Sequence, residues 1–128
     1  MKNKKIEIIV ERTKTGYSAY VQKYPVATTG KNLHLLKNNI IKALNLYFED
    51  ENRNFSEDDL KIVLDLPQFF EFYKVINAKA LSERIGMNQS LLAQYIGGHK
   101  KPSASQVHRI LEGVNQIGKE LSEIRFML

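Results

Sequence analysis

Between Asn88 and Lys101 the chain sets neutral hydrogen-bonding side chains beside a short run of cations. In Asn88-Gln-Ser-Leu-Leu-Ala-Gln-Tyr-Ile96, helical spacing places Leu92, Tyr95 and Ile96 on one side and Gln89, Ser90 and Gln94 on the other. A Gln amide can bond adenine N6 and N7 together in the major groove of a duplex, and a Ser hydroxyl can donate or accept at several bases. A well-made bidentate pair is worth about 1 to 3 kcal/mol of discrimination. Gly97-Gly98-His99-Lys100-Lys101-Pro102 follows directly, a tight turn carrying cations that suit phosphate oxygens. Such contacts fix register without reading sequence and make affinity fall steeply with salt.

Other chemistries lack their parts. With no Cys, a disulfide framework, a thiolate nucleophile and a thiol-ligated zinc site are excluded. His34, His99 and His108 lie far apart without ligand spacing. A divalent-metal nuclease needs converging carboxylates. Glu7 and Glu11 share a strand face, but no acid lies in the middle of the main helix, and Glu49 and Asp50 sit at its end. No Ser or Lys stands in a catalytic context, so the expectation is a non-enzyme without metal or cofactor.

The residues that would do the reading need short, sharply ended helices. Asn77 is placed to cap the first, Leu81 and Ile85 face inward four apart, and Ala80 and Ser82 are small enough for close helix approach. Gly86 suits a left-handed helix end, and Asn88 can cap the second helix. After Pro102, Ser103 and Gln106 have capping-box spacing. Val107, Ile110, Leu111, Val114, Ile117 and Leu121 then continue a helical stripe that Gly113 and Gly118 weaken, with an extended tail expected at Ile124 to Leu128. Upstream, Pro67 suits a helix start, with Phe69, Phe70, Tyr73 and Ile76 at helical spacing.

The first half has a different period. Ile6, Ile8 and Val10 alternate with Glu7, Ile9 and Glu11 as in a half-buried strand. Thr13 to Gly16 supplies a turn, Tyr17 to Tyr24 a second strand, and Val26 to Thr29 a third. Asn32 can cap a helix in which Leu36, Ile40, Ala43, Leu44 and Tyr47 form the apolar stripe, ending near Asp50. Residues Glu49 to Asp59 hold six carboxylates and one Arg, which reads as a solvated connection. Lys61 to Leu66 alternates as a returning strand, giving the order β-β-β-α-β over residues 1–66 and helices over 67–128.

The 19 Lys and Arg against 14 Asp and Glu give a net charge of +5. The pI near 9.4 lies above the value of roughly 9 that admits a nucleic-acid partner. Divided at Pro67, the halves hold 11 basic with 9 acidic and 8 basic with 5 acidic residues, excesses of +2 and +3. Charge alone therefore does not locate the binding face. The basic start, Met-Lys-Asn-Lys-Lys-Ile6, lacks an apolar signal core, and no run approaches the ~18 apolar residues a membrane span needs. A cytoplasmic protein without membrane contact is expected.

Leu81-Ser-Glu-Arg-Ile-Gly-Met-Asn-Gln-Ser90, then Tyr95-Ile-Gly-Gly-His-Lys-Lys-Pro-Ser103, resembles the XRE (Cro and phage-repressor-like) helix-turn-helix family over roughly Pro67 to Leu121. The resemblance implies that Gln89, Ser90 and Gln94 read bases of double-stranded operator DNA. It assigns Asn77, Asn88, His99, Lys100 and Lys101 to the DNA backbone, and implies a homodimer or higher homo-oligomer. The β-β-β-α-β half, with Ile6-Glu-Ile-Ile-Val-Glu11, Gly16-Tyr-Ser-Ala-Tyr20 and a Thr-Gly before the long helix, looks like the HicB antitoxin domain. That resemblance implies a degenerate RNase H-like fold that binds and blocks a HicA-type mRNA endonuclease toxin. The fold class expected is thus α+β: a small RNase H-like domain, then an all-α helix-turn-helix domain. The alternative is a stand-alone XRE-family regulator whose first domain oligomerises or senses a ligand.

Overall fold

The structure, a computed structural model, describes residues 4–128. The chain is α+β, with a four-stranded mixed sheet and five α-helices among the described residues. It divides into two compact units, Met1–Phe72 and Tyr73–Leu128.

In the first unit, β1 (Ile6–Thr13) and β2 (Gly16–Val21) form an antiparallel hairpin, with Ile8 opposite Val21 and Val10 opposite Ala19. β3 (Ala27–Gly30) pairs antiparallel with β2. β4 (Leu60–Leu64) returns to the other side of β1 in parallel, with Ile62 beside Ile8, for an order of β3-β2-β1-β4. A parallel return needs a crossover, and α1 (Leu33–Tyr47) lies on that path. Asn32 starts the helix by accepting from Leu35 N–H at 2.9 Å. Ile8, Val10 and Ala19 from one sheet face meet Leu36, Ile40 and Leu44 of α1, which makes the core.

The expected β-β-β-α-β order is present, with shifted edges. β2 stops at Val21 because the chain turns there, Val21 N–H donating to Val26 O at 3.0 Å and Val26 N–H to Tyr24 O at 2.7 Å. Tyr47, expected in the buried stripe, is 49% exposed, its ring resting on Tyr24 and Phe48. The acidic connection lies at the surface and holds two 3-10 turns, Glu49–Glu51 and Glu57–Asp59, the second closed by a Ser56/Asp59 capping box.

Leu66, read from the sequence as a strand residue, instead opens α2 (Leu66–Phe72). Pro67 stands in its first turn, where a missing N–H costs nothing. α2 belongs with the sheet, so the division falls one short helix later than the change of period at Pro67 suggests. The cause is visible at the end of β1. Asp65 N–H donates to Val10 O at 2.9 Å, continuing the β4 ladder. Two residues on, the Gln68 amide takes the place of a strand, accepting from Arg12 N–H at 2.8 Å and donating to Arg12 O at 2.7 Å.

The second unit contains α3 (Ala78–Ile85), α4 (Gln89–Ile96) and α5 (Ala104–Ser122). Its buried side chains are few: Leu81, Ser82, Met87, Leu92, Tyr95 and Ile110. Where an extended tail was expected, Glu123–Met127 forms a 3-10 turn that follows α5 directly, a common way for a helix to tighten at its end. Among the described residues no helix is long and apolar enough to cross a membrane.

Candidate functional site

The site is built on α3 and α4, two eight-residue helices that the sequence starts and stops by the same means. At each start an Asn turns its side-chain oxygen onto the third helical N–H. Asn77 Oδ1 accepts from Ala80 N–H at 3.0 Å, and Asn88 Oδ1 from Leu91 N–H at 3.2 Å. Each cap is worth about 1 kcal/mol.

At each end a glycine takes the left-handed conformation, Gly86 at φ 66° and Gly98 at φ 77°. Around Gly86, its own N–H reaches Glu83 O at 3.3 Å and Met87 N–H reaches Ser82 O at 2.9 Å. Around Gly98, its N–H reaches Tyr95 O at 3.2 Å and His99 N–H reaches Gln94 O at 2.9 Å. Both pairs are Schellman closures, which use carbonyls that a helix end otherwise leaves without partners. Met87 is buried, as the residue after such a glycine commonly is.

α5 fixes this pair from behind. Arg109 donates through Nε and Nη2 to Ile85 O at 3.0 and 2.7 Å, and through Nη2 to Gly86 O at 2.6 Å. Arg84 forms a bidentate pair with Glu120, at 3.0 and 2.7 Å, and the guanidinium holds the Glu120 carboxyl below the usual carboxylate range. Gly113 leaves room for Ile85. A Cβ there would fall well inside van der Waals contact with Ile85 Cγ2, and 3.4 Å from Leu81 Cδ1.

These devices present one surface. Leu92 and Tyr95 are buried, at 0% and 5% exposure, and turn α4 so that Gln89, Ser90 and Gln94 are all exposed. His99, Lys100 and Lys101 are exposed on the turn that leaves the helix. His99 stands over the helix end: its ring carbon Cδ2 is 2.8 Å from where a Cβ on Gly97 would lie. Asn77 and Asn88 are exposed too, but their oxygens serve as caps, so the side-chain NH2 is the group each has to offer a phosphate.

Three further residues of this unit are notable. Ala93 is exposed, four residues after Gln89, a spacing that would have found it. Lys79 is exposed in the first turn of α3. Arg109 acts on Ile85 across 24 residues, and nothing local signals it. The arrangement offers neutral donors and acceptors next to cations, which suits binding to a polyanion with an ordered, polar face.

Elsewhere, Glu11 has its carboxyl pushed above the usual range, first by burial and then by the neighbouring Asp65. No group of three or more His, Asp or Glu able to hold a metal ion occurs among the described residues. His34 stands beside Asn38 at 3.4 Å, and His108 beside Glu112 at 3.2 Å. Between α1 and the sheet lies an open cavity of about 230 Å³, lined by Ile8, Val10, Leu36, Ile40 and the exposed Leu33 and Ile62.

The chain matches no protein-family model, no curated protein and no solved structure.

Proposed function

We propose that the chain is a DNA-binding antitoxin. In this reading the second unit is an XRE-like helix-turn-helix that represses its own operon, and the first is a HicB-like domain that holds a HicA-type mRNA endonuclease. One observation carries the DNA half: α4 exposes Gln89, Ser90 and Gln94 as a neutral reading face, and the turn leaving it exposes His99, Lys100 and Lys101. Hydrogen-bonding side chains on a helix suit base edges in the major groove, and flanking cations suit phosphates. A symmetric oligomer follows from the small reach of one reading helix.

Support for the antitoxin half comes from the first unit. The mixed sheet, with β4 parallel to β1, is consistent with a degenerate RNase H-like domain. Leu33 and Ile62 are exposed large apolar side chains that border the same open cavity between α1 and the sheet, an apolar opening of the kind a protein partner can cover.

A gel shift on the DNA upstream of the gene, with and without the neighbouring gene product, tests both halves. Gln94→Ala is expected to loosen base preference at one position by about 1 to 3 kcal/mol. Lys100→Ala with Lys101→Ala weakens binding to every sequence and reduces the salt slope by roughly two. Equal effects from the two variants would sink the assignment of roles. Failure of the neighbouring product to co-purify, or of its toxicity to be relieved on co-expression, removes the antitoxin half and leaves a stand-alone regulator.

A further inference from the structure

The proposed reading helix carries no charged side chain: α4 is Gln-Ser-Leu-Leu-Ala-Gln-Tyr-Ile. At about 100° per residue, Gln89, Ala93, Ser90 and Gln94 follow one another around an arc of roughly 140°. All four are exposed, and Leu92 and Tyr95 are buried on the opposite side. Ala93 therefore sits inside the arc, between Gln89 and Ser90, with a methyl group as its whole side chain.

We propose that this face selects an A·T-rich half-site, with Ala93 seated against the C5-methyl of a thymine. The inference rests on the second unit being a duplex reader, and it adds which bases are read. The commonest contact to guanine, a bidentate Arg or Lys on O6 and N7, has no residue on α4 to make it. The charged acceptor that commonly pairs with the cytosine N4 amino group, an Asp or Glu, is equally missing from the helix. Apart from the hydroxyl of Ser90, which suits several bases, what remains matches adenine and thymine best. A Gln amide oxygen accepts from adenine N6 while its NH2 donates to N7, and the thymine methyl is the one apolar group a base pair shows in the major groove.

The lysines nearest in sequence stand beside the helix and not on it: Lys100 and Lys101, both exposed, follow Gly98 on the turn that leaves α4. That position suits phosphates and leaves base reading to the neutral arc. The small side chain at 93 also lets the α4 backbone come close to the base edges, which a longer residue would prevent.

Selection of bound duplexes from a random library by the full chain tests this. The expected motif is A·T-rich. At one thymine, replacement by uracil, which removes only the methyl, weakens binding about fourfold, the worth of one buried methyl-sized group. Ala93→Gly binds thymine and uracil duplexes alike. Because Gly weakens a helix, Ala93→Ser is the companion variant: it keeps the helix by circular dichroism and also loses the thymine preference. A motif rich in G·C, or equal binding of thymine and uracil duplexes by the unaltered chain, overturns the inference while duplex reading stands. No enrichment over the starting library overturns both.

Discussion

The two units hold their shapes by different means. The first rests on apolar burial spread over a sheet and a helix: Ile8, Ile40 and Leu44 are each 0% exposed at the centre of one core. The second has few buried side chains, and its helices are set by discrete polar contacts: two Asn caps, two glycine closures, and an arginine on the carbonyls of Ile85 and Gly86. An apolar core fixes where elements lie but tolerates small shifts if volume and pattern are kept. Hydrogen bonds at helix ends hold donor and acceptor to a narrow range of distance and angle. The second unit uses the device that suits a surface whose side chains must be held in register, and the first the device that suits a stable platform.

The largest effect expected is from core truncation, and it sharpens the contrast. Leu44→Ala in the first unit and Leu92→Ala in the second each remove a fully buried side chain, at a cost of about 2 to 5 kcal/mol. In the second unit that loss falls on a smaller core, so urea unfolding of Leu92→Ala should show a separate early transition in helical signal, with the sheet unit melting later. A single shared transition in both variants would break the comparison.

Next come the two glycines of α5. Gly113→Ala forces a Cβ against Ile85 and Leu81, with an expected loss of about 1 to 3 kcal/mol by overpacking, although Ala is the better helix former. Gly118 has nothing within 4 Å of a Cβ, so Gly118→Ala should gain about 0.5 to 1 kcal/mol. Thermal melts of both variants decide it. Equal gains would mean that α5 does not hold α3 through this notch.

The smallest effect lies in the first unit. The Glu11 carboxyl is raised by burial and by Asp65, so the folded state binds a proton more tightly than the unfolded chain. Stability is then highest at low pH and falls as pH rises through the window between the ordinary and the raised value. Glu11→Gln should raise Tm slightly at about pH 7 and leave it unchanged near pH 4, a difference kept small by solvent at this mostly open site. Insensitivity of that difference to pH would remove Glu11 as its source.

Much of this was legible in the amino-acid sequence, for a physical reason. Asn32, Asn77, Asn88 and Ser103 each bond an N–H three residues on, and Gly86 closes its own helix, so each device is complete within a few residues. The outward side chains of α4 followed from helical spacing once its apolar side was known. What stayed hidden spans the chain. Gln68 meets Arg12 across 56 residues and draws α2 into the first unit, and Arg109 meets Ile85 across 24. Nothing in the neighbours of either residue announces the partner. The 3-10 turn at Glu123–Met127 was missed because exposed residues carry no burial period from which to read a conformation.

The Gln68 amide has a consequence for how the molecule lives among copies of itself. β4 pairs with β1 only as far as Val10, whereas β1 continues to Thr13. The stretch beyond would offer a bare ribbon of peptide groups on which a foreign strand could grow. Gln68 corks it by supplying one acceptor and one donor to Arg12 with a side chain that has no further strand to offer. The end of β1 on this side thus meets a group that cannot propagate, where a longer β4 would have extended the ladder.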